Sequence, residues 1–432
     1  MTRRAIATGA LCAAAALVTA APAGGAGFGI FEQGSKAMGM AGAFTAQADD
    51  PSAMFHNPAG LAFQRERDFA AGVTWIRSLS AEFESGPMGF PGPGISSEQE
   101  TLSEFPPHAY WVEPLGGSTT FGFGVNSPFG LVTEWPADFE GRFVSRKAAL
   151  RAIDVNPVIA WQAGNLGIAI GAIGRFSDVE LIQHVPAVNP LTQTTQDVAT
   201  LTLESDFDSG FGYNAGLLHR YNNSFSWGLS YRSKIEIDYG GDARLSQNLT
   251  GTPFDAAVAA LLPFGQDLPV ETSIEFPDMA SLGFAFALSP NSMLEIDANW
   301  TGWSSFDVIV IDFTENQLPD AVRPQNFDDA YNYRLGLRWD SARGNQWRFG
   351  FVFDETPQPE EAVSPLLPDA DRNGYTIGYG WQGRGRASCD FALMYLDFDE
   401  RTRTRTFVGE EEDEFLGTYA QDALLVGLTL GF

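Results

Sequence analysis

Two short segments have the residue types and spacing of ligand-binding motifs. Residues 378–383 follow the glycine pattern of a dinucleotide-binding loop, but no helix follows them, so the segment is predicted to be a strand end entering a turn. Asp369 and Asp371 begin a pattern typical of calcium loops, whose twelfth position holds Gly380 instead of glutamate. A structural loop is the better interpretation, and neither a metal nor a cofactor is predicted.

Hydrolytic chemistry has little support in the sequence. No H-E-x-x-H motif is present, and no serine lies in a G-x-S-x-G sequence. A catalytic triad need not be local in sequence, so a lipid hydrolase embedded in a barrel is kept as an alternative. The prediction is a protein without enzyme activity. The histidines available to such a hydrolase are His56, His108, His184 and His219.

Arg175 is predicted to bind a carboxylate ligand. In the strand that begins at Leu166, Ile168 and Ile170 share the face of Phe176, which places Arg175 on the opposite, inner face. A carboxylate in an apolar cavity needs a charged partner, and arginine is a suitable donor. A structural ion pair with one of the many acidic residues is the alternative.

The elements that would position these residues are β-strands. Segments with period-two alternation or β-rich composition follow one another, and their connections alternate between short turns and long loops. Short periplasmic turns opposite long extracellular loops are typical of outer-membrane barrels. The predicted fold class is therefore all-β, a transmembrane antiparallel β-barrel of about 14 strands. The predicted strands lie near residues 69–84, 105–114, 119–127, 148–163, 166–183, 199–220, 224–240, 270–288, 293–310, 331–340, 346–355, 373–382, 389–402 and 422–432.

Composition excludes two other classes of protein. After the N-terminal segment, no apolar stretch of about 18 residues is present, which argues against a helical membrane protein. The mean hydropathy of -0.09 still suits a barrel, because only alternate strand residues face lipid. The net charge of -28 excludes nucleic acid as a partner, since phosphate binding needs clustered Lys and Arg.

Residues 1–26 are predicted to be a secretory signal peptide that is removed. Arg3 and Arg4 form a positive start, residues 5–21 are small or apolar, and an A-x-A cleavage site follows. A membrane anchor is the alternative, but the Ala-rich run is short for a span. After cleavage Cys389 is the one cysteine left, so the mature chain can form no internal disulfide.

The last predicted strand has one apolar face and one face of mostly small residues. The chain ends on an aromatic residue, which resembles the signal read by the outer-membrane barrel assembly machinery. The apolar face is predicted to contact outer-membrane lipid and lipopolysaccharide; an ordinary buried edge strand is the alternative. The apolar face holds Leu424, Val426, Leu428, Leu430 and Phe432, and the other face holds Leu425, Gly427, Thr429 and Gly431.

Residues 27–68 do not fit the strand pattern. This segment is rich in glycine, mostly uncharged, and too apolar for typical disorder, and it includes the sequence Asn57-Pro58-Ala59. A barrel of this size has a lumen wide enough to need filling. The segment is therefore predicted to be a hatch inside the barrel formed by residues 69–432; a flexible periplasmic tail is the alternative.

One long loop carries a group of apolar residues. Residues 253–264 are predicted to form a short amphipathic helix. The functional interpretation is a landing site for hydrophobic ligands, and packing of the loop against its neighbours is the alternative. The apolar residues are Phe254, Val258, Leu261, Leu262 and Phe264.

Several motifs, taken in their order along the chain, resemble the FadL family of hydrophobic-compound transporters. These are Asn57-Pro58-Ala59, residues 128–131, 133–136, 230–234 and 300–304, and Leu367-Pro368-Asp369-Ala370-Asp371-Arg372. The resemblance covers nearly the whole mature chain. It implies a monomeric barrel of fourteen strands with an N-terminal hatch, a pocket near that hatch, and ligands such as long-chain fatty acids or aromatic hydrocarbons.

The resemblance also implies a sideways exit where a strand bends inward beside the hatch. In this sequence the corresponding strand, residues 119–127, contains Gly122 and Gly124 and is followed by Pro128. Glycine weakens strand packing and proline removes a ladder donor, so these three residues are predicted to form a lateral gate. A bulge, or close packing on the hatch, is the alternative.

The function predicted from these features is passive uptake of hydrophobic small molecules across the outer membrane. Each CH2 group that leaves water gains about 0.8 kcal/mol, so such a ligand moves by partition and needs no energy source in the protein. The rival is a hydrophilic general porin, which would need an open, charged lumen in place of an apolar hatch.

Overall fold

A computed structural model describes residues 27–87, 89–314, 318–383, 387–407 and 415–432. The predicted signal peptide lies outside these ranges. Residues 384–386, between the predicted strands 373–382 and 389–402, and residues 408–414, between the predicted strands 389–402 and 422–432, lie outside them too.

Fourteen antiparallel spans close into a barrel, which confirms the predicted fold class and strand number. The first and last strands pair from Ala70↔Gly431 to Ser85↔Gly417, and this ladder closes the sheet. Several spans consist of two strand segments, so 22 strands are described. In chain order they are β1 (Asp68–Ser85), β2 (Ser96–Glu98), β3 (Ser103–Glu104), β4 (Pro107–Gly116), β5 (Thr119–Glu134), β6 (Lys147–Ala163), β7 (Leu166–Asn189), β8 (Thr194–Ser205), β9 (Asp208–Asn222), β10 (Phe225–Arg232), β11 (Ile235–Gln247), β12 (Asp267–Phe276), β13 (Met279–Ser289), β14 (Ser292–Thr301), β15 (Val308–Phe313), β16 (Ala321–Pro324), β17 (Ala330–Asp340), β18 (Gln346–Asp354), β19 (Arg372–Gln382), β20 (Ser388–Phe398), β21 (Arg401–Arg403) and β22 (Gly417–Gly431).

The helices are short and lie outside the strands of the wall. Two of them, α1 (Ser35–Met38) and α2 (Ala53–His56), belong to the N-terminal segment, and α3 (Phe254–Leu261) belongs to a long loop. None of the helices in the described ranges is long and apolar enough to cross a membrane. Short 3-10 turns occur at Pro58–Phe63, Glu140–Phe143, Trp303–Ser305 and Glu360–Ala362.

Strand β22 has the two faces that its alternation predicted. Leu428 and Leu430 are 43% and 41% exposed, whereas Leu425 and Thr429 are 1% and 9% exposed. Leu425 is an apolar residue on the inner face because it packs in a cluster with Met38 of α1. The inner face of a barrel strand is therefore apolar where it meets an apolar residue inside the lumen.

Arginine at Val426 or Leu428 is expected to destabilise the inserted barrel by about 2–4 kcal/mol near the bilayer midplane, because the charge would face lipid. Urea unfolding of the protein in liposomes measures this change. Gly427→Arg is the matched variant on the inner face, where a Cβ would lie 2.8 Å from Met38 Sδ and crowd the lumen. Unchanged stability with arginine at both outer positions would contradict the assignment of the lipid face.

Several strands extend further than the alternation predicted. Strand β5 continues past Pro128, and β7 and β8 form a hairpin in place of the loop predicted at 184–198. The predicted loop boundaries are wrong to this extent. Where a strand extends beyond the lipid, its two faces need not have apolar and polar surroundings in alternation. The hydrogen bonds between strands therefore continue although the period-two sequence pattern has ended.

Residues 27–67 precede β1, which begins at Asp68, and pack against inward-facing residues of the strands. Their role as a hatch stays a prediction, and we call this segment the hatch. Residues 33–48 are almost all buried. Inward-facing glycines of the wall allow this close approach: a Cβ at Gly228 would lie 2.1 Å from the carbonyl oxygen of Thr45, and one at Gly350 would lie 2.4 Å from the amide nitrogen of Ala41.

Candidate functional site

An apolar cavity of about 120 Å³ lies beneath the long loops. Its walls come from β7, β8, β11, β12 and β15, whose side chains continue upward into an apolar cluster that also contains Val258 of α3. We call this space the upper cavity. Its apolar lining includes Leu181, Leu203, Tyr239, Val270, Ile274, Phe306 and Ile311.

A second space of about 490 Å³, the main cavity, lies next to the upper cavity. Four residues, Phe28, Leu131, Leu150 and Leu367, line both spaces and separate them. Phe28 belongs to the hatch and packs edge-on against Trp303, with ring centroids 4.6 Å apart. The main cavity falls in the volume range of pockets that hold small organic ligands.

One side of the main cavity is charged. Arg372 Nη2 lies 2.7 Å from Asp354 Oδ2, and Arg334 and Glu32 complete this side. Burial raises the pKa of the Glu32 carboxyl above its usual range, although the charges of Arg334 and Arg372 act in the opposite direction. Asp369 also lines the cavity, and burial raises its pKa to about 6.

The barrel wall is interrupted beside the main cavity. The ladder between β4 and β5 ends at Ala109↔Val125, and within the described residues no ladder pair joins the upper part of β5 to β3 or β4. The ladder between β5 and β6 shifts register between Asn126 and Phe129. In this bulge Ser127 and Pro128 lie opposite the single residue Ile153 of β6.

The hatch covers the edge of β5 that the bulge exposes. The amide nitrogen of Ile30 donates to the carbonyl oxygen of Pro128 at 2.8 Å, and that of Gly130 donates to the carbonyl oxygen of Phe28 at 3.0 Å. The side-chain amide of Gln33 forms two hydrogen bonds with the backbone of Ser127. The first residues of the hatch therefore replace a barrel strand at this point.

The main cavity reaches the gap in the wall. Consecutive residues of β5, from Gly130 to Thr133, and of β6, from Leu150 to Ile153, line it. Because successive strand residues point to opposite faces, a cavity lined by all of them extends past the strand edge. Arg151, one of these lining residues, lies on the outer side of the strand, because its side chain is 69% exposed.

Gly122 and Gly124, predicted as parts of a gate, lie below the gap on the inner face of β5. A Cβ at Gly122 would lie 2.6 Å from Leu61 Cδ1 and 2.9 Å from Met54 Sδ, and one at Gly124 would lie 3.0 Å from Tyr110 Cδ1. Both glycines thus pack on the hatch or its neighbours, whereas Pro128 lies in the bulge itself. Their role in a gate stays a prediction.

Asn57, Pro58 and Ala59 lie against Gly216 of β9, and Asn57 also lies against Gly228 of β10. Asn57 Nδ2 donates to the carbonyl oxygens of Thr45 at 2.8 Å and Leu217 at 3.0 Å, and its Oδ1 accepts from the amide of Ala59 at 3.1 Å. All of these atoms are buried or partly buried, so each hydrogen bond satisfies a group that water cannot reach.

Two acidic residues that the sequence analysis did not single out also hold the hatch. Asp297 Oδ2 accepts from the amides of Phe44 and Thr45 at 2.9 and 3.0 Å. Glu295 Oε1 accepts from the next two amides, at 2.5 and 3.2 Å. A sequence pattern could have identified them. Polar residues recur at every second position of β14, at Glu295, Asp297 and Asn299, so the three side chains share the inner face.

Arg175 lies in the lumen and is 1% exposed. Its Nε and Nη2 donate to the two oxygens of Asp154 at 2.8 and 3.0 Å, and its guanidinium lies between the rings of Phe129 and Phe276. Its Nη1 has no hydrogen-bond partner among the described residues. The ion pair matches the alternative interpretation, and the role in carboxylate binding stays a prediction.

The loop helix forms as α3, and most of its apolar residues pack on the strands beneath it. Val258 is 5% exposed within the cluster, and Phe254, Leu262 and Phe264 pack against the same cluster, whereas Leu261 is 82% exposed. The loop thus combines a packed underside with one exposed apolar side chain. Its use as a landing site stays a prediction.

The segment from Leu367 to Arg372 lies at the boundary of the two cavities. Leu367 lines both, while Pro368, Asp369 and Arg372 line the main cavity. Asp369 Oδ2 accepts from the amide of Gly27 at 2.8 Å, and Asp371 Oδ1 accepts from the amide of Thr356 at 2.8 Å. The two carboxylates organise this loop and hold the first described residue of the hatch.

Proteins of similar sequence are outer-membrane proteins. A long-chain fatty acid transport protein of Escherichia coli O6:H1 is 26% identical over 408 residues, which cover 90% of this chain and 90% of that protein. Outer membrane protein P1 of Haemophilus influenzae is 23% identical over 464 residues and covers 98% of both.

Solved structures share the fold. The chain superimposes on a FadL homologue of Pseudomonas aeruginosa with a TM-score of 0.81 at 19% identity, covering 94% of this chain and 99% of that one. The toluene transporter TodX of Pseudomonas putida gives a TM-score of 0.70 at 16% identity, covering 94% and 98%.

The family model described as outer membrane protein transport protein (OMPP1/FadL/TodX) matches residues 15–432, nearly the whole chain. Members of this family are transporters and channels of the outer membrane and not enzymes. This chain belongs to the OMPP1/FadL/TodX family of outer-membrane transport proteins.

Proposed function

We propose that this barrel is a monomeric channel for passive uptake of hydrophobic small molecules, with long-chain fatty acids as the first candidates and aromatic hydrocarbons as the second. The observation that carries the proposal is the run of apolar space from the long loops, through two adjoining cavities, to a gap in the wall. The relatives named as fatty acid and toluene transporters support the ligand classes.

Capture begins at the loops. Leu261 on α3 is 82% exposed, and exposed leucines also lie at Leu249 of the same loop and at Leu191 of the turn between β7 and β8. Beneath α3, the apolar cluster continues into the lining of the upper cavity at Leu203, Val270 and Ile311. A ligand that partitions onto the loops therefore finds an apolar surface that continues inward.

Passage from the upper to the main cavity requires movement of a small set of side chains. Phe28, Leu131, Leu150 and Leu367 separate the two spaces. Each ligand CH2 that stays buried retains about 0.8 kcal/mol of transfer free energy, so the ligand moves between apolar sites without re-entering water. Phe28 belongs to the hatch, which couples this passage to the position of the hatch.

Exit is sideways, through the gap beside β5. The gap is covered by residues 28–33 of the hatch, whose backbone pairs with β5. A shift of this segment would free the edge of β5 and join the main cavity to the bilayer. The bulge at Ser127 and Pro128 supports this route because it follows directly on the end of the β4–β5 ladder at Ala109↔Val125.

A hydrophilic porin is the weaker interpretation. Wall glycines and the acidic residues of β14 hold the hatch across the lumen, so hydrophilic solutes meet packed hatch residues such as Ala43, Phe44 and Ala46, which are at most 1% exposed. The proposed route needs only residues 28–33 of the hatch to move, because the ligand leaves through the wall.

Mass spectrometry of lipids extracted from the purified protein tests the proposed ligand class. We expect fatty acids or other hydrocarbons to co-purify with the wild-type chain. Leu150→Gln, which places a polar group between the cavities, should reduce their amount, while Leu288→Gln, at a 55% exposed position, should not. Extracts that contain only bulk membrane lipids in equal amounts for all three proteins would contradict the proposal.

A further inference from the structure

A third space, the inner chamber, lies between the hatch and the wall. It has a volume of about 30 Å³ and is lined by residues of the hatch, β10, β13, β14 and β17. A single water needs roughly 10–15 Å³ by the same measure, so the chamber holds about two waters, which is close to the size of one carboxylate group.

The lining of the chamber is rich in hydrogen-bond donors and positive charge. Arg232 and Arg334, which are 4% and 5% exposed, both contribute to it, together with Ser230 and Asn299. None of the described residues that line the chamber is acidic. Two buried guanidinium groups in one small cavity without a lining carboxylate indicate a site for an anion.

The acidic residues near the two arginines do not neutralise the positive charge of the chamber. Arg232 shares Asp154 with Arg175, with Arg232 Nη1 lying 3.2 Å from Asp154 Oδ2. Two guanidinium groups thus face one carboxylate. Arg232 Nη2 has no hydrogen-bond partner within the described part of the chain, and a buried donor without a partner is costly unless a ligand or water supplies the acceptor.

Arg334 is similarly available. Its Nε donates to Asn332 Oδ1 at 2.8 Å, and no described carboxylate lies within salt-bridge distance of its guanidinium. The acidic groups that act on it from further away are Glu32, Asp297 and Asp354. None of these three lines the chamber, and Asp297 accepts two hatch amides while Asp354 pairs with Arg372.

His56 of the hatch lies in this buried, positively charged environment. It lines the chamber with Phe55, whose ring packs against the guanidinium of Arg232 at 4.9 Å. Burial, followed by the charges of Arg334 and Arg232, lowers the pKa of His56 to about 3. The imidazole is therefore neutral, and its buried Nε2 has no hydrogen-bond partner among the described residues.

The chamber adjoins the main cavity. Phe31 and Arg334 line both spaces, and the guanidinium of Arg334 lies 4.5 Å from the ring centroid of Phe31. An elongated ligand in the main cavity can thus place one end at Arg334 while its apolar part contacts Met394, Leu396 and Leu425.

We propose that the inner chamber is a carboxylate-binding site formed by Arg232 and Arg334. The carboxylate belongs either to a fatty acid whose tail lies in the main cavity or to a free short-chain acid. The first source rests on the proposed function, whereas the anion site itself does not. Binding there would place a ligand head group against α2 of the hatch, through His56 and Phe55.

Equilibrium binding of radiolabelled oleate, methyl oleate and acetate to the full chain in nanodiscs tests the site, with empty nanodiscs as the blank. Arg232→Gln and Arg334→Gln should each weaken oleate binding by about tenfold or more and leave methyl oleate unchanged, since a charge-assisted hydrogen bond is lost only with the acid. Lys234→Gln removes an exposed charge two residues from Arg232 and should change nothing. Two separate arginine variants, each checked for heat-resistant folding, guard against a simple failure to assemble.

The three ligands separate the possible outcomes. Acetate binding that both arginine variants abolish would support the site and show that free carboxylates enter it. Acetate binding with no binding of oleate or methyl oleate would support the chamber and contradict the proposed function. Equal weakening of oleate and methyl oleate, unchanged oleate binding in both variants, or a loss confined to Arg175→Ala would overturn the chamber as a carboxylate site.

Discussion

Alanine at both Glu295 and Asp297 is expected to turn a closed barrel into a conducting one. The two carboxylates accept hydrogen bonds from four consecutive hatch amides, from Phe44 to Gln47. Each buried amide left without an acceptor costs about 1–3 kcal/mol, so the hatch should leave its position in a large share of molecules. Single-channel conductance in planar bilayers measures the result, and sensitivity of cells to a bulky hydrophilic antibiotic gives a second measure.

The matched control is Glu236→Ala combined with Asp238→Ala. These two acids have the same spacing on β11 but lie on its exposed face, so their loss leaves the hatch contacts intact. The control barrel should remain closed. A closed double variant at Glu295 and Asp297, in a correctly assembled barrel, would show that Asn57 and the wall glycines hold the hatch without these carboxylates.

Valine at both Gly122 and Gly124 is expected to reduce uptake of a labelled fatty acid sharply. A Cβ at Gly122 would lie 2.6 Å from Leu61, so the hatch residues beside the gap must shift. If the glycines serve a gate, the barrel still assembles and binds ligand at its loops while uptake falls. If they serve packing, heat-resistant folding fails together with uptake. Measuring folding, binding and uptake on the same variant separates these two roles.

Gly174→Val is the matched control for this pair. It also lies within a barrel strand, but the nearest atom to its added Cβ would be 3.7 Å away, an ordinary contact. Uptake by this variant should match that of the wild type. Normal uptake by a correctly assembled Gly122→Val and Gly124→Val double variant would rule out a lateral gate at these residues.

The barrel was predictable because its strands place one face against lipid and the other against the lumen, which makes apolar residues recur with period two. Leu428 and Thr429 have opposite surroundings, and that difference is written into the sequence with period two. The same argument placed Arg175 on an inner face. It did not identify Asp154 as its partner, because alternation tells which face a residue occupies and not which strand lies opposite.

The hatch contacts were harder to predict. Glu295 and Asp297 show a polar inner face on β14, but their role follows from the backbone amides of a segment about 250 positions earlier in the chain. The inner chamber has the same origin, since Arg232 and Arg334 come from different strands and line one space together with residues of the hatch.

Proline in a strand can end a ladder or occupy a bulge, and Pro128 occupies a bulge, so the predicted strand end at residue 127 is wrong. A residue without an N–H ends a ladder or occupies a bulge. Here the bulge at Ser127 and Pro128 lets β5 continue to Glu134, because the hatch supplies the missing pairing through Ile30. The partner that allows this continuation is almost 100 residues away in sequence.

The proposed function requires that the barrel conducts hydrophobic molecules and excludes hydrophilic ones. Cells that make this chain as their only outer-membrane channel for either class can be offered a radiolabelled long-chain fatty acid and a labelled disaccharide in parallel. We expect saturable fatty acid uptake well above that of cells without the chain, and no gain in disaccharide uptake. Faster disaccharide entry with fatty acid uptake at the background rate would contradict it.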